Sequence, residues 1–277
     1  MASRRKMRGG TKAIMEVLGV LLALVYLFPF YIIIVNSFKS KAELFENILG
    51  LPNSLNPVNY VEAFQRIHFL RAFSNSLLIT VVSIALLVIL ASMAGWKLVR
   101  TKSAVSSFLF FMFVGAMVIP FQSVMLPLVT LLGRLGLLNR VGLIICYLGF
   151  QAGLSIFLYH GFVKNVPVEL EESAVIDGAS ELQTFWMVVF PVLQPITLTV
   201  VILNTIWIWN DYLLPSLVIN KEGMRTIPLQ IFLFFGEYTK QWHLALAGLM
   251  LAILPVIIFY FSVQKYIIQG ATQGAIK

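Results

Sequence analysis

NVPVELEESAVIDGASELQTFWMVVFP, residues 165–191, is a polar, acidic interruption in a chain built mostly of long apolar runs. Its local chemistry spells two helices and a turn. Pro167 suits a first helical position, and Glu169, Glu171 and Glu172 complement the positive end of the helix dipole. Asp177-Gly178 then stops the helix, because glycine readily takes the left-handed conformation that a C-terminal cap requires. Ser180 with Gln183 three residues later forms a capping box that starts a second helix, and Pro191 ends or kinks it. Five of the 12 acidic residues of the chain fall between Glu169 and Glu181, opposed nearby only by Lys164. The segment therefore reads as a helical hairpin outside any bilayer with a local negative patch. Such a patch suits a basic partner, and equally suits a solvated loop helix with dipole-matched carboxylates.

On either side of this hairpin the composition changes the solvent. Hydrophobic residues make up 59% of the 277 residues and charged ones 12%, against about 45–50% and 25% in soluble domains, and the mean hydropathy is +0.90. The apolar residues come in blocks rather than amphipathic stripes, so lipid is their surroundings. Six stretches reach the roughly 20 apolar residues a spanning helix needs: Ala13–Asn36, Ala72–Trp96, Ser106–Leu132, Val141–Val163, Ile196–Ile219 and Leu244–Tyr266. The short alternating segments of a membrane β-barrel are absent from the sequence. The expected fold is all-α, a polytopic membrane protein with six transmembrane helices.

A net charge of +8 raises the question of nucleic acid, but the basic residues sit in short loops and flank apolar runs, as membrane anchors do. Arg4, Arg5, Lys6, Arg8 and Lys12 precede the first span, and Lys97, Arg100 and Lys102 follow the second. By the positive-inside rule these clusters place both termini on the cytoplasmic side of the membrane. The first apolar run is too long for a signal-peptide core and lacks a small-residue cleavage site, so it reads as an uncleaved span. The longest outside loop, about Ser37 to Arg71, carries a surface helix: Asn56-Pro57 is a helix start, and Tyr60, Phe64 and Ile67 recur at helical spacing. Pro29, Pro120, Pro127 and Pro255 fall inside spans, as packing kinks or as hinges. Cys146 lies in an apolar run and has no chemistry assigned. His68, His160 and His243 lack ligand spacing, so no metal site is expected. No Gly-x-x-x-x-Gly-Lys-Ser/Thr motif occurs, so this chain carries no phosphate-cradling loop and no enzymatic activity is expected of it.

The hairpin resembles one family in register. Binding-protein-dependent ABC importer permeases carry Glu-Ala-Ala, three residues, Gly, nine residues, then Ile-x-Leu-Pro. Here the match is Glu172-Ser173-Ala174, Gly178 and Val188-Val189-Phe190-Pro191, with three small or apolar substitutions. The resemblance implies a type I importer fold in which the hairpin is a coupling helix docked in a groove of a separate ATPase subunit. Carried over by position, Glu171, Glu172, Ser173, Ala174, Asp177, Gly178 and Pro191 are the ATPase-coupling residues: Glu172 docks by charge, Ala174 permits close packing, Gly178 turns the chain and Asp177 caps or pairs. ATP and Mg would be bound by the partner ATPase and no cofactor by this chain.

Trp207-Ile-Trp209-Asn210-Asp211-Tyr212-Leu-Leu-Pro215 further resembles the carbohydrate-importing branch, specifically its maltose-type smaller permease subunit. Asn204, Trp209, Asn210 and Asp211 are then candidates for a pathway or gate, with structural hydrogen bonding the competing role for these polar residues. Trp207 and Trp209 suit either a sugar face or an interfacial aromatic belt. The ending also looks like that subunit's tail, with Gly270, Thr272, Gly274 and Lys277 reaching the ATPase subunits. The outside loop from Asn220 to His243, with Gly223, Arg225, Glu237 and Tyr238, faces the binding protein in relatives. The implied partners are a homologous second permease, two ATPase subunits and an extracytoplasmic solute-binding protein. The organisation is a basic tail (1–12), a first span with its outside loop (13–71), a permease core (72–266, hairpin 165–191) and a C-terminal tail (267–277). A permease for another solute such as glycerol phosphate stays open, as does an ion-coupled secondary transporter, although neither internal repeats nor midplane ionisable residues are evident.

Overall fold

The computed structural model describes residues 9–219, 221–236 and 240–275. In chain order the helices are α1 (Gly9–Ser37), α2 (Lys41–Glu46), α3 (Val58–Arg66), α4 (Phe69–Arg100), α5 (Ala104–Ala116), α6 (Phe121–Arg134), α7 (Arg140–Val163), α8 (Glu169–Ile176), α9 (Glu181–Thr184), α10 (Phe190–Val192), α11 (Gln194–Asn210), α12 (Leu213–Val218), α13 (Ile227–Ile231) and α14 (Trp242–Ala275). No strand occurs among the described residues. The chain divides into two compact units, one of residues up to Ile67 with Ile231–Ile253, the other of His68–Gln230 with residues from Leu254 onward.

In the first unit, the apolar stretch of α1 from Ala13 to Ser37 is exposed over its most hydrophobic window, as expected of a helix whose neighbour is lipid. The loop that follows is tied by buried polar side chains rather than by a core. Asn59 Nδ2 donates to the carbonyls of Ser37 and Lys39 (both 2.8 Å), and Asn36 Nδ2 donates to those of Ile32 and Ile48 (2.8 and 2.9 Å). Lys39, only 1% exposed, extends its ammonium to Asn47 O at 2.6 Å. A buried ammonium demands such carbonyl partners. The surface helix of this loop starts one residue later than Asn56-Pro57 suggests: Pro57 is the N-cap, and Asn56 Oδ1 accepts from Val58 N (3.1 Å).

The second unit holds one apolar core, in which α4 and α7 are the most intimate pair. Small residues let these backbones approach. A Cβ built on Gly95 of α4 would lie 2.7 Å from Tyr159 Cβ of α7, and one on Gly153 of α7 would lie 2.7 Å from Phe113 O of α5. Tyr147, Tyr159, Leu143 and Phe185 are almost wholly buried in this core.

Four helices are long and apolar enough to cross a membrane unbroken: α1 from Ala13, α4, α7 and α14 over Trp242–Ser262. Six crossings result if two bent pairs count as one span each, α5 with α6 (100°) and Glu181–Val192 with α11 (77°). The expected third span Ser106–Leu132 is therefore not one helix. After Ala116 the turn tightens through three-residue bonds, Val118 N to Gly115 O and Ile119 N to Ala116 O, and Pro120, which has no N–H, caps the new helix α6. The expected fifth span Ile196–Ile219 is also corrected: α11 runs only to Asn210, and α12 begins after a break at Asp211–Tyr212. Pro29, Pro127 and Pro255 sit inside helices as expected.

Candidate functional site

The hairpin forms from local signals. Pro167 lies two residues before α8 rather than within it, and Glu169, Glu171 and Glu172 fill the first turn. At the other end Gly178 has φ +85°, with Ala179 N bonded to Ala174 O and Gly178 N to Val175 O, both at 3.0 Å. These are the paired bonds of a Schellman cap. Ser180 starts α9 with a complete capping box: Gln183 Oε1 accepts from Ser180 N (2.8 Å) and Ser180 Oγ from Gln183 N (3.4 Å). Residues Phe185–Val189 then widen into a π turn, with Phe190 N reaching Phe185 O. Pro191 accounts for the slip in register, since its ring crowds the carbonyl four residues back.

The end of α4 grips both arms of this hairpin. Glu171 is 8% exposed. Its Oε2 accepts from Trp96 Nε1 (2.9 Å), and its Oε1 accepts from Arg100 Nε (2.9 Å) and lies 2.7 Å from an Arg100 terminal nitrogen. That guanidinium also donates to Val166 O at 2.9 Å, in the chain leading into α8. The Trp96 ring packs on Phe185 at 5.1 Å between centroids, and exposed Lys97 pairs with Glu181 of α9. Glu171 thus parts from the other coupling candidates, because its carboxylate is spent inside the chain.

The remaining coupling candidates face outward. Glu172, Ser173, Asp177, Gly178 and Pro191 are exposed, and Ala174 is half-buried. Ser173 Oγ donates to Glu169 O of its own helix (2.8 Å). Beside them lies an apolar surface invisible to a reading based on charge: Ile176 is 85% exposed, Met187 73%, with Val175 and Leu182 also exposed. The sequence signal for it is the bulky apolar residue directly before Asp177-Gly178, where a solvated turn has no use for one.

The pathway candidates scatter. Asn204 is buried and donates to Val200 O (2.8 Å) and Ser155 Oγ (3.3 Å). Trp209 is buried edge-on against Phe73, and exposed Asn210 donates back to Ile206 O. Asp211 also reaches across helices: Oδ2 accepts from Tyr147 OH of α7 (3.0 Å), and Oδ1 accepts from Leu213 N, starting α12 (3.0 Å). Gly223 and Arg225 of the loop after α12 are held through their carbonyls, both 3.0 Å from Asn75 Nδ2 of α4. Gly270, Thr272 and Gly274 belong to the last turns of α14, which continues helical to Ala275; Lys277, Asn220, Glu237 and Tyr238 lie outside the described residues. No cluster of metal-ligating side chains occurs among the described residues.

These features define a polytopic helical membrane protein with an acidic hairpin gripped by the end of one long helix. Residues 67–273 match the family described as binding-protein-dependent transport system inner membrane component, and the chain belongs to it. It is 50% identical over 266 residues, 96% of this chain and 97% of the relative, to the "Probable starch degradation products transport system permease protein AmyC" of Thermoanaerobacterium thermosulfurigenes. It is 33% identical to the melibiose/raffinose/stachyose import permease protein MelC of Bacillus subtilis, over 99% of each chain. Among solved structures it is similar to a chain of a bacterial ABC transporter involved in import of the acidic polysaccharide alginate. That match has TM-score 0.79, 26% identity, and covers 96% of this chain and 99% of the other. The fold is that of a type I ABC importer permease, and the protein is a multi-pass membrane permease.

Proposed function

We propose that this chain is the smaller permease of an ATP-driven importer of oligosaccharides, and that its hairpin couples closure of a separate ATPase to alternating access of the spans. The observation that carries this reading is the hairpin itself: an exposed acidic and apolar tip, Glu172, Ile176 and Asp177, on a stem clamped to α4 through Glu171. The 50% identity to a permease named for starch degradation products favours a neutral glucan oligosaccharide as the solute. ATP and Mg belong to the ATPase partner, present as two copies beside a second, homologous permease and a solute-binding protein. The hairpin faces the cytoplasm with both termini, in keeping with Lys97, Arg100 and Lys102 at the same end of α4.

Purification through a tag on this chain should bring down an ATPase and a second permease, and liposomes holding the complex with ATP inside should accumulate radiolabelled maltotriose when the binding protein is added outside. Glu172→Lys should abolish uptake while the subunits still co-purify. Uptake and ATPase stimulation at the normal level in that variant would end the coupling role. Absence of uptake of any neutral oligosaccharide by the unmodified complex would end the substrate reading.

A further inference from the structure

Two breaks between helices open onto one cavity. The turn Met117–Pro120 between α5 and α6, and Asp211 between α11 and α12, line a space of about 480 Å³ together with Gln122, Phe150, Gln151 and Trp207. Backbone groups freed at such breaks need partners from the protein or from a wet cavity, because lipid supplies none. The volume lies within the range of about 300–1,000 Å³ usual for small-molecule sites.

The side chains supply a second, independent pointer. Gln151 sits halfway along α7, is 7% exposed, and its amide has no hydrogen-bond partner among the described residues. Gln151 lines the cavity, so its amide is open to water or to a polar solute there. Gln122, in the first turn of α6, likewise has no partner among the described residues and is exposed. Across the cavity Asp211 is fixed by Tyr147 OH and Leu213 N, while the Trp207 indole, 51% exposed, stands edge-on to the Tyr147 ring. Two amides offer both donors and acceptors, a carboxyl group offers acceptors, and an indole offers an apolar face. A pyranose ring, with hydroxyls around its edge and C–H bonds on its faces, matches that set. Among the described residues no lysine, arginine or histidine lines the cavity, so an anionic solute would meet a carboxyl group and no counter-charge.

We infer that this subunit itself contacts the solute, binding one neutral sugar unit in the cavity between the two span breaks through Gln122, Gln151, Trp207 and Asp211. The inference rests on the oligosaccharide-import reading above, which leaves open whether this chain touches the solute.

The test uses the whole complex in liposomes, with maltotriose as the probe and saturating binding protein. Trp207→Ala and Gln122→Ala replace side chains exposed on this chain, so its own core does not depend on them; Gln151→Ala tests the amide on α7. Each should lower maltotriose uptake about tenfold, the loss expected when a transported solute forfeits one good contact, while binding-protein-stimulated ATP hydrolysis without sugar stays at the unmodified level. Gln122→Arg should shift competition from neutral towards acidic oligosaccharides. Normal uptake in both Trp207→Ala and Gln122→Ala, with the unmodified complex active, would overturn this inference and leave the import reading standing. Loss of the second permease from the purified Trp207→Ala complex would also overturn it, by making the cavity a seat for that subunit. If the unmodified complex takes up no neutral oligosaccharide, the import reading fails and this inference falls with it.

Discussion

The hairpin stem and the cavity at the span breaks treat polar groups in opposite ways. At the stem both Glu171 oxygens are engaged, the Trp96 N–H is used, and Arg100 divides its donors between Glu171 and Val166 O. At the cavity Gln151 and Gln122 hold amides with no protein partner among the described residues. The coupling role proposed for the stem calls for a joint that does not yield, and its saturated polar groups suit that role. The solute contact proposed for the cavity calls for groups left open, as Gln122 and Gln151 are.

The contrast breaks hardest at Glu171. Glu171→Ala leaves the half-buried Arg100 guanidinium with only Val166 O and strands the buried Trp96 N–H, and should destabilise the folded permease by about 3 kcal/mol. A thermal melt of the purified complex reads the loss, and uptake should fall with it. Replacing both charged partners, Glu171→Leu with Arg100→Met, should recover most of the melting temperature, because an apolar pair carries no unpaired charge. Coupling should not recover, and a double variant that transports normally would show that the clamp serves stability alone. Next comes Gly95→Val, which forces α4 away from Tyr159 and should cost about 1–3 kcal/mol, as overpacking does. Gly178→Ala places a side chain at φ +85°, with about 1–2 kcal/mol lost from the hairpin turn. Faster protease cleavage near residue 178 is the readout, and an unchanged cleavage rate would contradict the strained cap. The smallest effect belongs to Lys97→Ala. Its ion pair with Glu181 is more than half exposed, and such pairs contribute about 0–1 kcal/mol, less in high salt. A large shift in melting temperature there would show that the outer arm matters as much as the inner.

The two regions were also unequally legible before the fold was known. The hairpin could be read because its determinants are local: three glutamates in one turn, Asp177-Gly178 at the stop, Ser180 with Gln183 at the restart. The six apolar runs were legible for the same reason, but hydropathy is blind to bends. It joined Ser106 to Leu132 across Pro120 and carried the fifth span past Asp211. Glu171 and Glu172 are adjacent and chemically identical, and nothing local says that one is buried against partners 71 and 75 residues away. Gln151 was passed over because one amide inside an apolar run changes its mean hydropathy little. Its missing partner is visible only once α7 is packed.

Gly95 is small, so α4 can lie close against α7 as one uninterrupted helix of 32 residues, about 48 Å long at 1.5 Å per residue. The hydrocarbon layer is about 30 Å thick. This rod overhangs the layer by roughly 18 Å, about three turns, shared between its two ends. One projecting end carries Trp96, Lys97 and Arg100 on the hairpin. Near the other, Asn75 holds Gly223 O and Arg225 O, and Ser76 Oγ holds Ile227 N at 2.9 Å. With no proline along its length, a displacement of its Trp96 end would carry the loop held at its Asn75 end as a tilt or a slide of a single stiff beam.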